Sequence, residues 1–254
     1  MSKSKGNVVD PDELIRKYGA DTARLFSLFA APPEKDLDWN DHGVEGAFRF
    51  LNRVWRFVTA QVDAIREAPD TTRSGGAVVS LSAEGRAFRR MIHETIARVT
   101  DDIERDVHFN TAVSAIMELV NALHAFEASS PPGVTGEERR ALLREAVETL
   151  LVLLGPFCPH IAEELWSQLG HRESVFRRGW PQADPAARRR DEVTVVVQVD
   201  GKVRSRLTVD ADAADAEVER QALADTKVRP WLTSRQIERI VVVPNRLVNI
   251  VTRS

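Results

Sequence analysis

A single cysteine, Cys158, stands in the 254 residues. That excludes an intrachain disulfide and any zinc site needing two or more thiolates from this chain, and it fits a reducing compartment. Long apolar runs are missing too. The longest uncharged one, TLLVLLGPFCP, contains Gly and Pro and is too short to cross a bilayer, and the chain does not open on the apolar core of a signal peptide. The expectation is a soluble, cytoplasmic protein with no membrane partner. Surplus positive charge is also absent: 35 Lys and Arg face 38 Asp and Glu, a formal charge of -3. Bulk attraction for nucleic acid is excluded, so contact with a polyanion has to come from local patches. Neither a solenoid-length repeat nor a long low-complexity tract is present.

What is there begins with VVDPDELIRKYG, which carries a full set of helix-start signals. Asp10 is the N-cap, Pro11 the first helical residue, Glu13 completes a D-x-x-E capping arrangement, and Gly19 is the stop. A short helix is expected in ADTARLFSLFA, ended by Pro32 and Pro33. From Val44 to Ile65 the residues Val44, Phe48, Leu51, Val54, Trp55, Val58, Val62 and Ile65 recur at helical spacing, which predicts a long helix with these on its buried side. Similar patterns in EGRAFRRMIHETIARVTDDIE, NTAVSAIMELVNALHAFEA, GEERRALLREAVETLLVLLG and PHIAEELWSQLG predict a helical bundle.

The composition changes near residue 180. WPQADPAARRRDE reads as a linker. VTVVVQVDGKVRSRLTV, β-branched on both sides of an Asp-Gly pair, predicts a hairpin. A helix in AADAEVERQALAD and strands in IERIVVVP and RLVNIV complete a small α+β domain. The expected fold is therefore mostly α, a helical bundle followed by a small α+β C-terminal domain.

Three stretches hold basic residues of interest. Ser2, Lys3, Ser4 and Lys5 precede a glycine, a pattern that any solvated tail could carry. Arg49, Arg53 and Arg56 fall at i, i+4 and i+7, nearly opposite the apolar side of their helix, as solvated faces often do. Lys202, Arg204 and Arg206 alternate along one predicted strand and should point the same way, as they also would on an edge strand guarded by charge. The connector from His171 to Arg190 holds six arginines against Glu173 and Asp184, a local +4. Residues 191–254 balance ten basic against ten acidic side chains. His160 with Glu163 and Glu164 lacks further ligands, so no metal site is expected. Trp39, Trp55, Trp166, Trp180 and Trp231 are scattered and read as packing anchors, and Cys158, in an apolar run, as inert.

MSKSKGNVVDPDELIRKYGADTARLF resembles the K-M-S-K-S signature loop of class I aminoacyl-tRNA synthetases and the helix that follows it. With LFAAPPEKDLDWNDHGVEGAFRFLNRVWRFV, FNTAVSAIMELVNAL, LLGPFCPHIAEELW, VQVDGKVRSRLTV and VVVPNRLVNIV, the whole chain is similar to the leucyl-tRNA synthetases from that loop onward. The resemblance implies residues 1–40 as signature loop and stem helices and 41–180 as a tRNA-binding bundle of anticodon-binding type. It also implies 181–192 as a basic linker and 193–254 as a tRNA-binding C-terminal domain. Lys3 would act on the phosphates of ATP, with Ser2, Ser4 and Lys5 around them, and magnesium would arrive with the nucleotide. Arg49, Arg53, Arg56, Lys202, Arg204 and Arg206 would contact leucine tRNA. The first lysine of the signature, the H-I-G-H element and the Rossmann fold are absent from the sequence. The chain is therefore expected to need an upstream catalytic portion, to be inactive alone, and to leave Leu25, Phe26, Leu28 and Phe29 short of neighbours. A free-standing tRNA-binding module, or the same part of a valyl, isoleucyl or methionyl enzyme, are the alternatives.

Overall fold

The computed structural model describes residues 11–30, 40–68, 81–105, 107–129, 133–189, 192–211, 213–233 and 235–253. Two compact units divide after Arg188. In the first, α1 (Pro11–Tyr18) and α2 (Ala20–Phe29) meet at Gly19. Gly19 has φ 87°, a left-handed conformation that costs a side-chain-bearing residue strain, so the stop expected there is realised. Asp10, Pro32 and Pro33 lie outside the described residues.

The bundle consists of α3 (Asp41–Arg66), α4 (Ala83–Glu104), α5 (Phe109–Ser129), α6 (Gly136–Leu154) and α7 (Pro159–Gln168). Asn40 caps α3, its Oδ1 accepting from the backbone N–H of His42 and Gly43. The core runs through every helix of the bundle, with Val54, Ile92, Ile116, Leu119, Leu150 and Leu165 fully buried, and Phe88 stacks on Phe126 at 4.1 Å. Leu25 and Phe26 of α2 are also fully buried in this core, and Leu28 and Phe29 pack against it. The expectation that these four would lack neighbours is thus corrected: the bundle itself covers them.

Buried acids tie the helices together. The Glu138 carboxylate accepts from Thr135 N–H, closing the capping box of α6, and from Ser82 N–H and Oγ–H at the start of α4. Glu145 on α6 accepts from Arg89 and pairs with His93, both on α4. Asp184 N–H donates to His93 Nδ1, which leaves Nε2 as the protonated nitrogen facing Glu145. Arg89 reaches Asp184, and Trp180 donates to Thr100 Oγ1. The segment 180–184, at the start of the stretch read as a linker, is thereby fastened to α4.

The second unit holds β1 (Glu192–Val199), β2 (Lys202–Asp210), α8 (Asp215–Ala224), α9 (Arg229–Leu232), β3 (Gln236–Val243) and β4 (Leu247–Arg253). Its sheet runs β2-β1-β4-β3, with β1 and β4 parallel and the outer pairs antiparallel. The β1–β2 hairpin turns on Asp200 (φ 51°) and Gly201 (φ 76°), the two positive φ values that the Asp-Gly pair predicts. Val195, Val197, Val199, Val248 and Ile250 face Val218 and Ala222 of α8 in a second, small core.

Candidate nucleic-acid interface

α3 is 26 residues long, and its buried positions are Val44, Ala47, Phe50, Leu51, Val54, Phe57, Val58 and Ile65. The buried side is therefore rotated from the one the periodicity suggested. Phe50 and Phe57 point inward, while Phe48 and Trp55 are 39% and 37% exposed. The reading of Trp55 as a packing anchor is corrected accordingly. Arg49, Arg53 and Arg56 are all exposed, as the stripe predicts. Arg49 lies 3.7 Å from Glu45, a solvated pair that contributes little, and Arg53 donates to Asn121 Oδ1. The exposed side of α3 thus carries three cations with two aromatic rings beside them.

Phe48 meets the Tyr18 ring edge-on at 5.5 Å, and the two border an open groove of about 460 Å³ between the α1–α2 corner, α3 and α7, with Asp21 and Glu164 as its charged lining. Leu51, Asn52, Trp55 and His160 line it further. Asn52 Nδ2 donates back to Phe48 O, which directs its Oδ1 away from the helix backbone.

α2 is locked to the corner between α6 and α7. The Asp21 carboxylate accepts from Ile161 N–H at 2.7 Å and from His160 N–H at 3.4 Å, capping α7 from a different helix. One turn on, Arg24 donates to the carbonyls of Pro156 and Phe157. An acid on the positive end of α7 and a cation on carbonyls after α6 suit the helix dipoles. The sequence held a cue: α7 begins Cys158-Pro159, and cysteine is a poor cap, so the orphan N–H groups need a partner from elsewhere.

In the second unit the basic residues of β2 do not share a face. The register shifts between Val197 and Gln198, so Ser205 sits opposite Val197 but Lys202 opposite Val199, leaving Arg204 in a bulge. Residues directly opposite share a face. Lys202 therefore joins the side of core-facing Val199, and Arg206, opposite Val196, lies on the other. Arg204 lays its guanidinium 3.2 Å from the centre of the Trp231 ring, and its Nε is buried without a hydrogen-bond partner among the described residues. A cation committed to an aromatic face is held by that stack. The expected row of three parallel charges is corrected to one exposed cation on each face and one stacked arginine.

Ser2, Lys3, Ser4 and Lys5 lie outside the described residues. Glu163 accepts from Ser174 Oγ–H and Val175 N–H, and Glu164 from Gln168, so neither acid turns toward His160 as a ligand pair. Among the described residues, no group of three or more His, Cys, Asp or Glu could hold a metal ion. Burial pushes the Cys158 thiol far up from its ordinary pKa, which keeps it protonated and unreactive. Among the described residues no helix is long and apolar enough to cross a membrane.

Comparison with known proteins gives this geometry a context. Residues 85–220 match the anticodon-binding domain of tRNA ligase, and residues 1–40 match the class I tRNA synthetases of the I, L, M and V type. A leucine–tRNA ligase of Geobacter sp. (strain M21) is 57% identical over 253 residues, and that of Nitrosococcus oceani 49% over 251. Each alignment covers 99% of this chain but 29% of the relative's length. Among solved structures, a LeuRS of Agrobacterium radiobacter K84 (agnB2), in a ternary LeuRS-tRNA-LeuAMS complex, superposes with a TM-score of 0.85. It is 31% identical, and the match covers 100% of this chain and 31% of that one.

Proposed function

This chain belongs to the anticodon-binding-domain family of tRNA ligases, and from that premise we propose that it is the tRNA-gripping, signature-loop-bearing part of a leucine–tRNA ligase. The observation that carries the reading is the 57% identity to a leucine–tRNA ligase over 253 residues, which takes in the MSKSKG stretch and the final strands. Residues 1–40 join the catalytic portion, 41–180 and 193–254 hold leucine tRNA, and the basic stretch 181–192 lies between them. The upstream Rossmann portion is the obligatory partner, and the setting is the cytoplasm.

In the reaction, a carboxylate oxygen of leucine attacks the α-phosphorus of ATP. The bond to the bridging oxygen breaks, and pyrophosphate leaves with the charge that develops. Lys3 supplies the ammonium that meets that charge, with Ser2 and Ser4 shaping the loop and Lys5 adding to the field. Magnesium arrives with ATP rather than on ligands of this chain. Rate is gained by holding the phosphates more tightly in the transition state than in the ground state, so the lysine need not grip resting ATP.

The Asp21 and Arg24 ties fix α2 to the α6–α7 corner of the bundle. In a full-length ligase carrying this segment, Lys3→Ala should lower ATP–pyrophosphate exchange on the order of 10² to 10³-fold, and the 254-residue chain alone should show none. Exchange at the normal rate in the Lys3→Ala enzyme would overturn the assignment.

A further inference from the structure

The groove beside α3 does not end at Glu164. A second open hollow, lined by Pro159, His160, Glu163, Glu164, Ser167 and Phe176, shares His160 and Glu164 with it, so one furrow follows the outer side of α7. Three large rings stand exposed along it: Phe48 (39%), Trp55 (37%) and Phe176 (59%). α1, whose Tyr18 forms one end of the wall, buries none of its own residues, and its Ile15 is 43% exposed. An amphipathic helix with no buried residue is short of a neighbour.

Single exposed hydrophobics carry no message, but several along one furrow mark an interaction site. The charge of the lining selects the occupant. It holds three carboxylates, Asp21, Glu163 and Glu164, and no lysine or arginine; the arginines of α3 are not among the lining residues. Such a lining repels phosphates, so RNA does not fit it. A second copy docked by the same face would set these acids against themselves, because a two-fold interface pairs a patch with itself. What fits is a protein surface of apolar side chains edged with lysine or arginine.

Position in the chain indicates where that surface comes from. The α1–α2 corner, which supplies Tyr18 to Thr22 of the wall, lies within residues 1–40, the part that matches the class I tRNA synthetases. The opposite wall, α7, lies within 85–220, the part that matches the anticodon-binding domain. The furrow thus runs along the seam between the two matched regions. This chain covers 29% of the leucine–tRNA ligases compared above, so most of their length lies outside it. We propose that the furrow along α7, with the uncovered side of α1, is the docking surface for the upstream catalytic portion, which fills it with an apolar segment carrying a lysine or arginine opposite Glu164. This rests on the reading of the chain as part of a leucine–tRNA ligase, and goes beyond it by naming the face on which the two portions meet.

The test is hydroxyl-radical footprinting of the 254-residue chain and of a full-length ligase carrying this segment, both free of tRNA. In the full-length enzyme, oxidation of Phe48, Trp55 and Phe176 should fall several-fold below that in the chain. Glu164→Lys, a change at an exposed position, should restore much of that oxidation by setting like charges face to face. Equal oxidation of the three rings in chain and full-length enzyme overturns the docking surface, and so does full protection retained in the Glu164→Lys enzyme. Protection that appears only when a leucine tRNA transcript is added overturns it in favour of RNA. Protection that rises with the concentration of the 254-residue chain alone overturns it in favour of self-association. Leucylation by the same full-length enzyme judges the ligase reading separately: normal charging with the rings still exposed removes this site and leaves that reading standing.

Discussion

The two units solve the problem of holding charge in opposite ways. The helical unit buries carboxylates between helices: Glu138, Glu145 and Glu148 are each less than a tenth exposed, and each is matched by donors from another element. The α+β unit keeps its tied acids at the surface. Asp200 accepts from Thr252 and Arg235 at the hairpin, and Asp225 from Ser205 and the turn before α9. The difference follows from what each fold leaves unsatisfied. Helix ends and antiparallel packing present N–H groups and arginines to the interior, whereas a sheet satisfies its own backbone and needs only valines on its covered face. The buried ties join α6 to α4 and to the segment that follows α7, while the sheet unit holds its acids where solvent screens them.

The contrast is broken most severely at Glu145. Glu145→Ala leaves buried His93 without its Nε2 partner and Arg89 with Asp184 alone, and should cost about 1–3 kcal/mol in thermal unfolding. Asp200→Ala, at an exposed tie, should change stability far less. Comparable losses at the two sites would erase the distinction. A middle-sized effect is expected at Asp21: Asp21→Asn keeps the shape but weakens the cap on α7, about 1 kcal/mol. Amide exchange at His160 and Ile161 should then quicken more than elsewhere in α7; uniform protection would mean the cap contributes nothing.

The smallest effect, and the sharpest for the comparison, is pH dependence. Burial lowers the pKa of His171, aided by Arg144 and Arg178 and opposed by Glu148, and burial with Arg53 lowers that of His124. A histidine depressed by folding stabilises above its ordinary value of about 6.5, and that stability is lost as pH falls from there toward the folded value. In the α+β unit the hydrogen bond from Ser205 depresses Asp225, and that from Thr252 N–H depresses Asp200. Their contribution is complete above the ordinary carboxylate range, and is lost only as pH falls through the depressed values. The bundle should therefore begin to weaken on acidification near pH 6, and the sheet below about pH 4, read by hydrogen exchange in each unit. Loss in the reverse order would contradict the assignment of these groups.

Much of this was legible in the sequence, where local signals are strong. The Pro11 start and Gly19 stop of α1, the Asp-Gly hairpin and the helical periodicities all appear where expected. What could not be read depends on partners distant along the chain. Periodicity could not tell which of Phe48, Phe50, Trp55 and Phe57 face inward, because aromatics occupy both sides of α3 and only the neighbouring helices choose between them. The bulge at Arg204 leaves no compositional trace, yet it turns Lys202 and Arg206 to opposite faces. The parallel pairing of β1 with β4 is likewise set by long-range contact. Asp21 gave one hint, through the weak cap at Cys158, and Glu145 none.

The central claim is that the solvent face of α3 grips tRNA, and the salt dependence of tRNA binding by the 254-residue chain tests it most directly. Replacing Arg49, Arg53 and Arg56 together by glutamine should weaken binding and flatten the slope of log affinity against log salt by about one unit for each phosphate no longer neutralised. A triple variant with the parent's affinity and slope would contradict it.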